Sequence, residues 1–155
     1  MSRFAEQTSV PSERSRAEIE TTLRRYGATA FSYGWADCRA VVIFEMAARR
    51  VRFNLPMPDP HDREFTETQT GRDRSPAQAE KAYEQAVRQR WRALALVIKA
   101  KLEAVETGIT EFEDEFLAHI ALPDGQTVGR WMRPQIEQAY ASGRMPPMLP
   151  APGKD

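Results

Sequence analysis

The sequence predicts an α+β fold: an N-terminal helix, a three-stranded antiparallel sheet, a long covering helix, then one or two shorter helices. Three observations carry this expectation. Apolar residues alternate with a period of two through much of residues 30–55, and they recur with the helical period across residues 75–108. Capping residues and turn formers separate the segments.

Residues 1–11 show no clear periodicity and read as a flexible arm ending at Pro11. Ser15 and Glu18 have the spacing of a capping box, Ile19, Leu23 and Tyr26 share a helical face, and Gly27 supplies a stop. These residues predict the first helix. Phe31, Tyr33 and Trp35 then fall on one side of an extended segment, with Ala30, Ser32 and Gly34 on the other. After a turn at residues 37–39, residues 40–46 are apolar on both faces except at Glu45, as expected of a central strand. A turn at residues 47–49 leads to Val51, Phe53 and Leu55, alternating with Arg50, Arg52 and Asn54. The third strand therefore has a dry face and a basic, wet one.

Pro56, Pro58 and Pro60 end the sheet. Residues 57–75, rich in charge, Thr and turn formers and lacking an apolar seam, read as a long loop, either a binding flap or a linker. Ser75 followed by Pro76 gives an N-cap and a favoured first helical residue, and Gly108 suits the left-handed position past a helix C-terminus. Between them Tyr83, Val87, Trp91, Leu94, Ile98, Leu102 and Val105 form one apolar stripe along about nine turns. Lys81, Arg88, Arg92 and Lys99 form a second stripe rotated roughly 115° from the first.

Thr110 and Glu113 have capping-box spacing and open a helix whose Phe112, Phe116, Leu117 and Ile120 face inward. Pro123, Asp124 and Gly125 form a turn. Thr127 caps a final helix containing Trp131, Ile136 and Tyr140, which Pro134 delays or kinks and Gly143 closes. Residues 12–143 are expected to form a single domain, followed by a Pro-rich tail at 144–155.

Composition bounds the function. Twenty-two basic residues offset twenty-two acidic ones in the 155-residue chain, which argues against both a generally cationic binder and an acidic mimic of DNA. Any electrostatic function must come from local segregation of charge. Arg greatly outnumbers Lys, and guanidinium favours bidentate contacts with phosphate or carboxylate. One cysteine, Cys38, rules out an intrachain disulfide and gives no zinc-ligand spacing. With no apolar signal core and no run of membrane-spanning length, the expected location is the cytoplasm of a host bacterial cell.

Two stretches carry a resemblance. Residues 88–105, reading Arg-Gln-Arg-Trp-Arg-Ala-Leu-Ala-Leu-Val-Ile-Lys-Ala-Lys-Leu-Glu-Ala-Val, and residues 115–125, reading Glu-Phe-Leu-Ala-His-Ile-Ala-Leu-Pro-Asp-Gly, resemble a family of small uncharacterised proteins of bacteriophages and prophages. Tyr26-Gly-Ala-Thr and Arg49-Arg-Val-Arg-Phe also fit. The resemblance implies a mobile-element origin and brings no known chemistry with it. Separately, the order of elements is broadly that of double-stranded-RNA-binding domains and of single-strand annealing cores, an analogy of fold alone.

The basic stripe on the long helix reads either as a phosphate track or as a solvated face. Arg49, Arg50 and Arg52 strengthen the first reading, because consecutive cations around a strand can grip an extended backbone. Tyr33 and Trp35 would be stacking platforms, although their side of the strand is also the obvious one to bury. Glu111, Glu113, Asp114, Glu115 and His119 form an acidic group that fits a helix N-terminus better than a metal site. His61 stands between Asp59 and Asp62 in the loop, and Cys38 beside a turn. No P-loop, dinucleotide fingerprint, serine elbow or paired metal motif occurs, so the familiar enzyme classes, cofactors and metals are not implied.

The expectation is thus a nucleic-acid-binding accessory protein without chemistry of its own. Arg49, Arg50, Arg52, Arg88, Arg92 and Lys99 would contact the backbone of DNA or RNA, for example of single strands in recombination or replication. The alternative is an inhibitor that binds a host or defence protein through the same arginines. Either is compatible with a homo-oligomer, and neither involves a membrane.

Overall fold

The expected order of elements is present in the computed structural model, which describes residues 3–36 and 38–145. Helix α1 (Ser12–Arg25) leads into strands β1 (Ala30–Ala36), β2 (Arg39–Met46) and β3 (Arg49–Pro56). A short helix α2 (Arg63–Thr66), the long helix α3 (Pro76–Glu106), a short α4 (Phe112–Phe116) with a 3-10 turn at Leu117–His119, and α5 (Val128–Ser142) complete the chain. The sheet is antiparallel in the order β1-β2-β3.

Alternation decides which side of the sheet is covered. Ala40, Val42, Phe44 and Met46 of β2 and Val51 and Phe53 of β3 are buried, and they share one cluster with Ile19 and Leu23 of α1 and Trp91, Leu94, Ala95, Ile98 and Leu102 of α3. Phe116 completes it, meeting Phe44 and Phe53 edge-on at 5.8 and 6.3 Å. The helices α1 and α3 therefore lie on one face. On the other, Val41 and Ile43 are only half-buried. β2 is the central strand, as its pattern predicts, but its outer face, half-buried at Val41, Ile43 and Glu45, is less covered than the face under the helices.

The long helix begins as expected, with a full capping box: Gln78 N–H donates to Ser75 Oγ and Ser75 N–H to Gln78 Oε1. Gly108 sits at φ +77° past its end. Other boundaries differ. α1 starts at Ser12, and Ser15, expected as its cap, lies inside the helix and fully buried, while Glu18 turns to Arg92. The helix expected from residue 110 closes after Phe116 and tightens into the 3-10 turn, which leaves Leu117 half exposed instead of inward. Thr110 Oγ does not reach the helix amides, so the capping box there does not form.

Residues 57–75 are more structured than a loop without an apolar seam suggests. Phe65 of α2 is buried edge-on against Tyr83 at 5.7 Å, and Glu67 bridges Asp73. A single anchoring ring leaves no periodic signal. The N-terminal segment, expected as a flexible arm, is held along α3: Gln85 Nε2 donates to the carbonyls of Glu6 and Thr8 at 3.0 and 2.8 Å. α5 is capped by Thr127 and closed by Gly143 at φ +67°, with Pro134 inside it. Most of the Pro-rich tail, residues 146–155, and position 37 of the first turn lie outside the described residues. No helix among the described residues is long and apolar enough to cross a membrane.

Candidate nucleic-acid interface

The face of the sheet opposite α1 and α3 carries the third strand's polar residues. Because Val51 and Phe53 point into the core, Arg50, Arg52 and Asn54 must point away from it. The register sets their neighbours: Arg50 lies opposite Glu45, Arg52 opposite Ile43, and Asn54 opposite Val41. β2 adds Arg39 to the same face, at the end of its outer row.

A second segment turns this face into a groove. After the 3-10 turn the chain runs back along β3, pairing Ile120 with Val51, and Ala121 N–H donates to the Arg50 carbonyl at 2.8 Å. Residues 121–125 then rise beside the sheet, with Gly125 at φ +89° in the expected turn. The resulting groove, of about 530 Å³, has Ile43, Arg52 and Glu45 along its floor and Arg49, Leu122 and Pro123 on its walls. Three arginines and one carboxylate line it.

Their partners differ. Arg50 Nε and Nη2 both donate to Glu45 Oε1, at 3.2 and 2.9 Å. Arg49 Nε reaches Glu113 Oε1 at 2.7 Å. Both pairs are exposed, a setting in which an ion pair contributes about 0.2–1 kcal/mol, so an anion can compete for either cation. Arg52 is half-buried and its Nε has no hydrogen-bond partner. That Nε is itself shielded from solvent, so an anion in the groove would be met by the terminal guanidinium nitrogens of Arg52.

The other sequence-selected cations lie elsewhere. Arg92 and Lys99 face a groove of about 610 Å³ between α1 and α3, on the helical side of the molecule. There Arg92 donates to Glu18, and Arg14 and Arg25 of α1 join them. Arg88 is turned along its own helix, with Nε and Nη2 donating to Gln85 Oε1. The fold thus gathers Arg49, Arg50 and Arg52 but separates them from Arg88, Arg92 and Lys99 by the thickness of the sheet and the helical layer. Reading α1 for its apolar face alone overlooks Arg14 and Arg25, although they flank Glu18 and Thr21 at helical spacing. Arg39 is likewise missed, since only β3 shows a basic alternation.

The aromatic candidates are not on the outer face. Tyr33 and Trp35 share the core side with Phe31, yet they are 47% and 76% exposed. The helical layer reaches Tyr33, which meets Trp91 edge-on at 6.1 Å and lies under the Arg16 guanidinium, but it does not cover Trp35. Neither complete burial nor a stacking platform beside Arg50 and Arg52 results.

Two members of the acidic group are engaged in ion pairs. Glu113 holds Arg49, and Glu115 accepts from Lys101 at 3.1 Å. His119 stacks on Phe53 with ring centroids 4.1 Å apart, and burial, with a smaller contribution from Lys101, lowers its pKa below the ordinary imidazole value. The described residues contain no group of three or more His, Cys, Asp or Glu able to hold a metal ion. No family model, curated protein or solved structure matches the chain.

Proposed function

We propose that this is a phage-encoded nucleic-acid-binding accessory protein that engages a sugar-phosphate backbone along the outer face of its sheet. The observation that carries the reading is the groove lined by Arg49, Arg50 and Arg52 with Glu45 as the one carboxylate of its lining, in a chain with no net charge. Arginine forks suit phosphate oxygens, and each one placed on a phosphate releases counterions. Because the groove lining holds no aromatic ring, contact is with the backbone and not with stacked bases, which makes recognition independent of sequence. Single strands handled during recombination or replication are the substrate class proposed, with no cofactor and no reaction of the protein's own.

The test is fluorescence anisotropy with labelled single- and double-stranded DNA and RNA across a salt series. Salt-sensitive binding to one form is expected, and Arg50→Glu with Arg52→Glu weakens it at least tenfold and flattens the salt dependence. The comparison variant, Arg14→Glu with Lys99→Glu on the helical side, leaves it largely intact. Absence of binding at low salt, or equal affinity in the sheet-face variant, overturns the reading.

A second reading has its own observation. α5 contributes no buried residue and leaves Ile136 49% and Tyr140 88% exposed. Such a surface suits a protein partner, as would be used by a phage inhibitor of a bacterial defence or host protein. That reading requires a stoichiometric complex from host lysate that survives nuclease treatment and is lost in Ile136→Asp with Tyr140→Asp.

A further inference from the structure

The two edges of the sheet are unlike. β3 is covered by the Ile120–Ala121 segment, whereas among the described residues nothing pairs with β1 on its outer side. The seven residues of β1 read Ala-Phe-Ser-Tyr-Gly-Trp-Ala, with no charge and no proline, and all but Phe31 are exposed. Edge strands of soluble proteins are ordinarily protected by charge, proline, a bulge or a cover. This one has none of these.

Its sequence is close to a palindrome about Tyr33. Ala30 mirrors Ala36, Phe31 mirrors Trp35, and Ser32 mirrors Gly34. We infer that β1 pairs antiparallel with β1 of a second copy of this chain about a two-fold axis through Tyr33, joining two sheets into one of six strands.

The register defines each row of that joined sheet. On the helical side, Phe44 and Phe31 of one copy continue into Trp35 and Ala40 of the other, so that a large ring meets a large ring above a small residue. Tyr33 faces its own counterpart between the two Val42 residues. On the outer side, Ile43 and Ser32 continue into the second copy's Gly34 and Val41. At each end the row runs Glu45, Ala30, then the second copy's Ala36 and Arg39, so the acidic end of one sheet is aligned with the basic end of the other. No like charges fall opposite each other across the seam. A pairing shifted by one residue would set Tyr33 against Ser32 and throw the two helical layers to opposite sides, leaving the exposed aromatic side of β1 without a counterpart.

The area is sufficient for a modest dimer. Trp35 and Tyr33, with the exposures given above, supply from both copies on the order of 600 Å² of ring surface, and the two strand edges bring the total to roughly 1,000 Å², the lower bound for a specific contact. This inference does not depend on what the arginines bind. Its geometric consequence is that the two β3 strands stand five strand spacings apart, about 24 Å, on one continuous outer face.

The experiment is sedimentation equilibrium of the full chain under reducing conditions, which removes disulfide exchange at the exposed Cys38. A monomer–dimer equilibrium with Kd on the order of 10 μM is expected. Ser32→Lys with Gly34→Lys places cations opposite cations across the axis and raises Kd at least tenfold. Both positions face outward, and a side chain at Gly34 meets nothing within 4 Å, so the fold tolerates the change. Ser32→Glu with Gly34→Glu does the same with anions, and an equimolar mixture of the two variants restores a dimer containing one of each. A wild-type chain that is monomeric at about 100 μM, a lysine variant that remains dimeric, or a mixture that fails to associate overturns the inference.

Discussion

Arg50 and Glu45 sit directly opposite each other on β3 and β2, and both Nε and Nη2 of the arginine donate to one carboxylate oxygen. This cross-strand pair ties the guanidinium to Glu45 within the lining of the groove. It also places the one negative charge of that groove against a cation proposed to meet phosphate.

Glu45→Gln is therefore expected to strengthen nucleic-acid binding several-fold at low salt. Freeing Arg50 for one more phosphate steepens the plot of log affinity against log salt by about 0.7 to 0.9. Stability changes by no more than about 1 kcal/mol, since the pair is exposed. Anisotropy across a salt series and urea unfolding measure the two effects separately.

His119 gives the fold a pH dependence of defined sign. Its ring is stacked on Phe53, and burial favours the neutral imidazole, lowering the folded pKa below the ordinary 6.5. The unfolded chain consequently binds the proton more readily. The stabilising contribution is complete above pH 6.5 and is lost as pH falls from there through the lowered folded value. His119→Phe keeps an aromatic ring on Phe53 and removes the titration. The wild type should lose stability relative to this variant as pH is taken from about 8 to 5, read as the difference between their urea midpoints.

The β2–β3 hairpin closes through two alanines, with Met46 paired to Arg49 and Ala47 and Ala48 at φ +52° and +58°. A two-residue turn with both central residues left-handed suits the twist of the strands, but each Cβ there costs about 1–2 kcal/mol. Both residues are exposed, so nothing else is lost on changing them. Ala47→Asn with Ala48→Gly should stabilise the chain by about 1 kcal/mol, a rise in Tm of roughly 3 °C by scanning calorimetry.

That turn also shows where sequence patterns stop being informative. A hairpin without Asn or Gly carries no turn signature, and its position follows only from the alternation of the strands beside it. The long helix was legible from end to end, because its cap, its apolar stripe and its terminal glycine are local features that agree. Ser15 and Glu18 imitate a capping box with equal fidelity, yet packing against the core draws Ser15 inside the helix. Phe65 was invisible as a core residue because one ring in a polar stretch has no period.

The candidate site divides along the same line. Alternation of Arg50 and Arg52 with Val51 and Phe53 determined by itself that the arginines leave the core, since successive side chains of a strand point to opposite faces. Order, strand number and the course of the long helix were likewise fixed by local pattern. Only the tertiary structure decided that α1 and α3 both lie on the inner face and that residues 121–125 return beside β3 to make a groove on the outer one. It also placed Arg92 and Lys99 on the opposite side of the molecule from Arg50, and left β1 with an edge that no described residue pairs. These are relations between segments distant in the chain, and periodicity within a segment constrains its own faces without constraining what is brought against them.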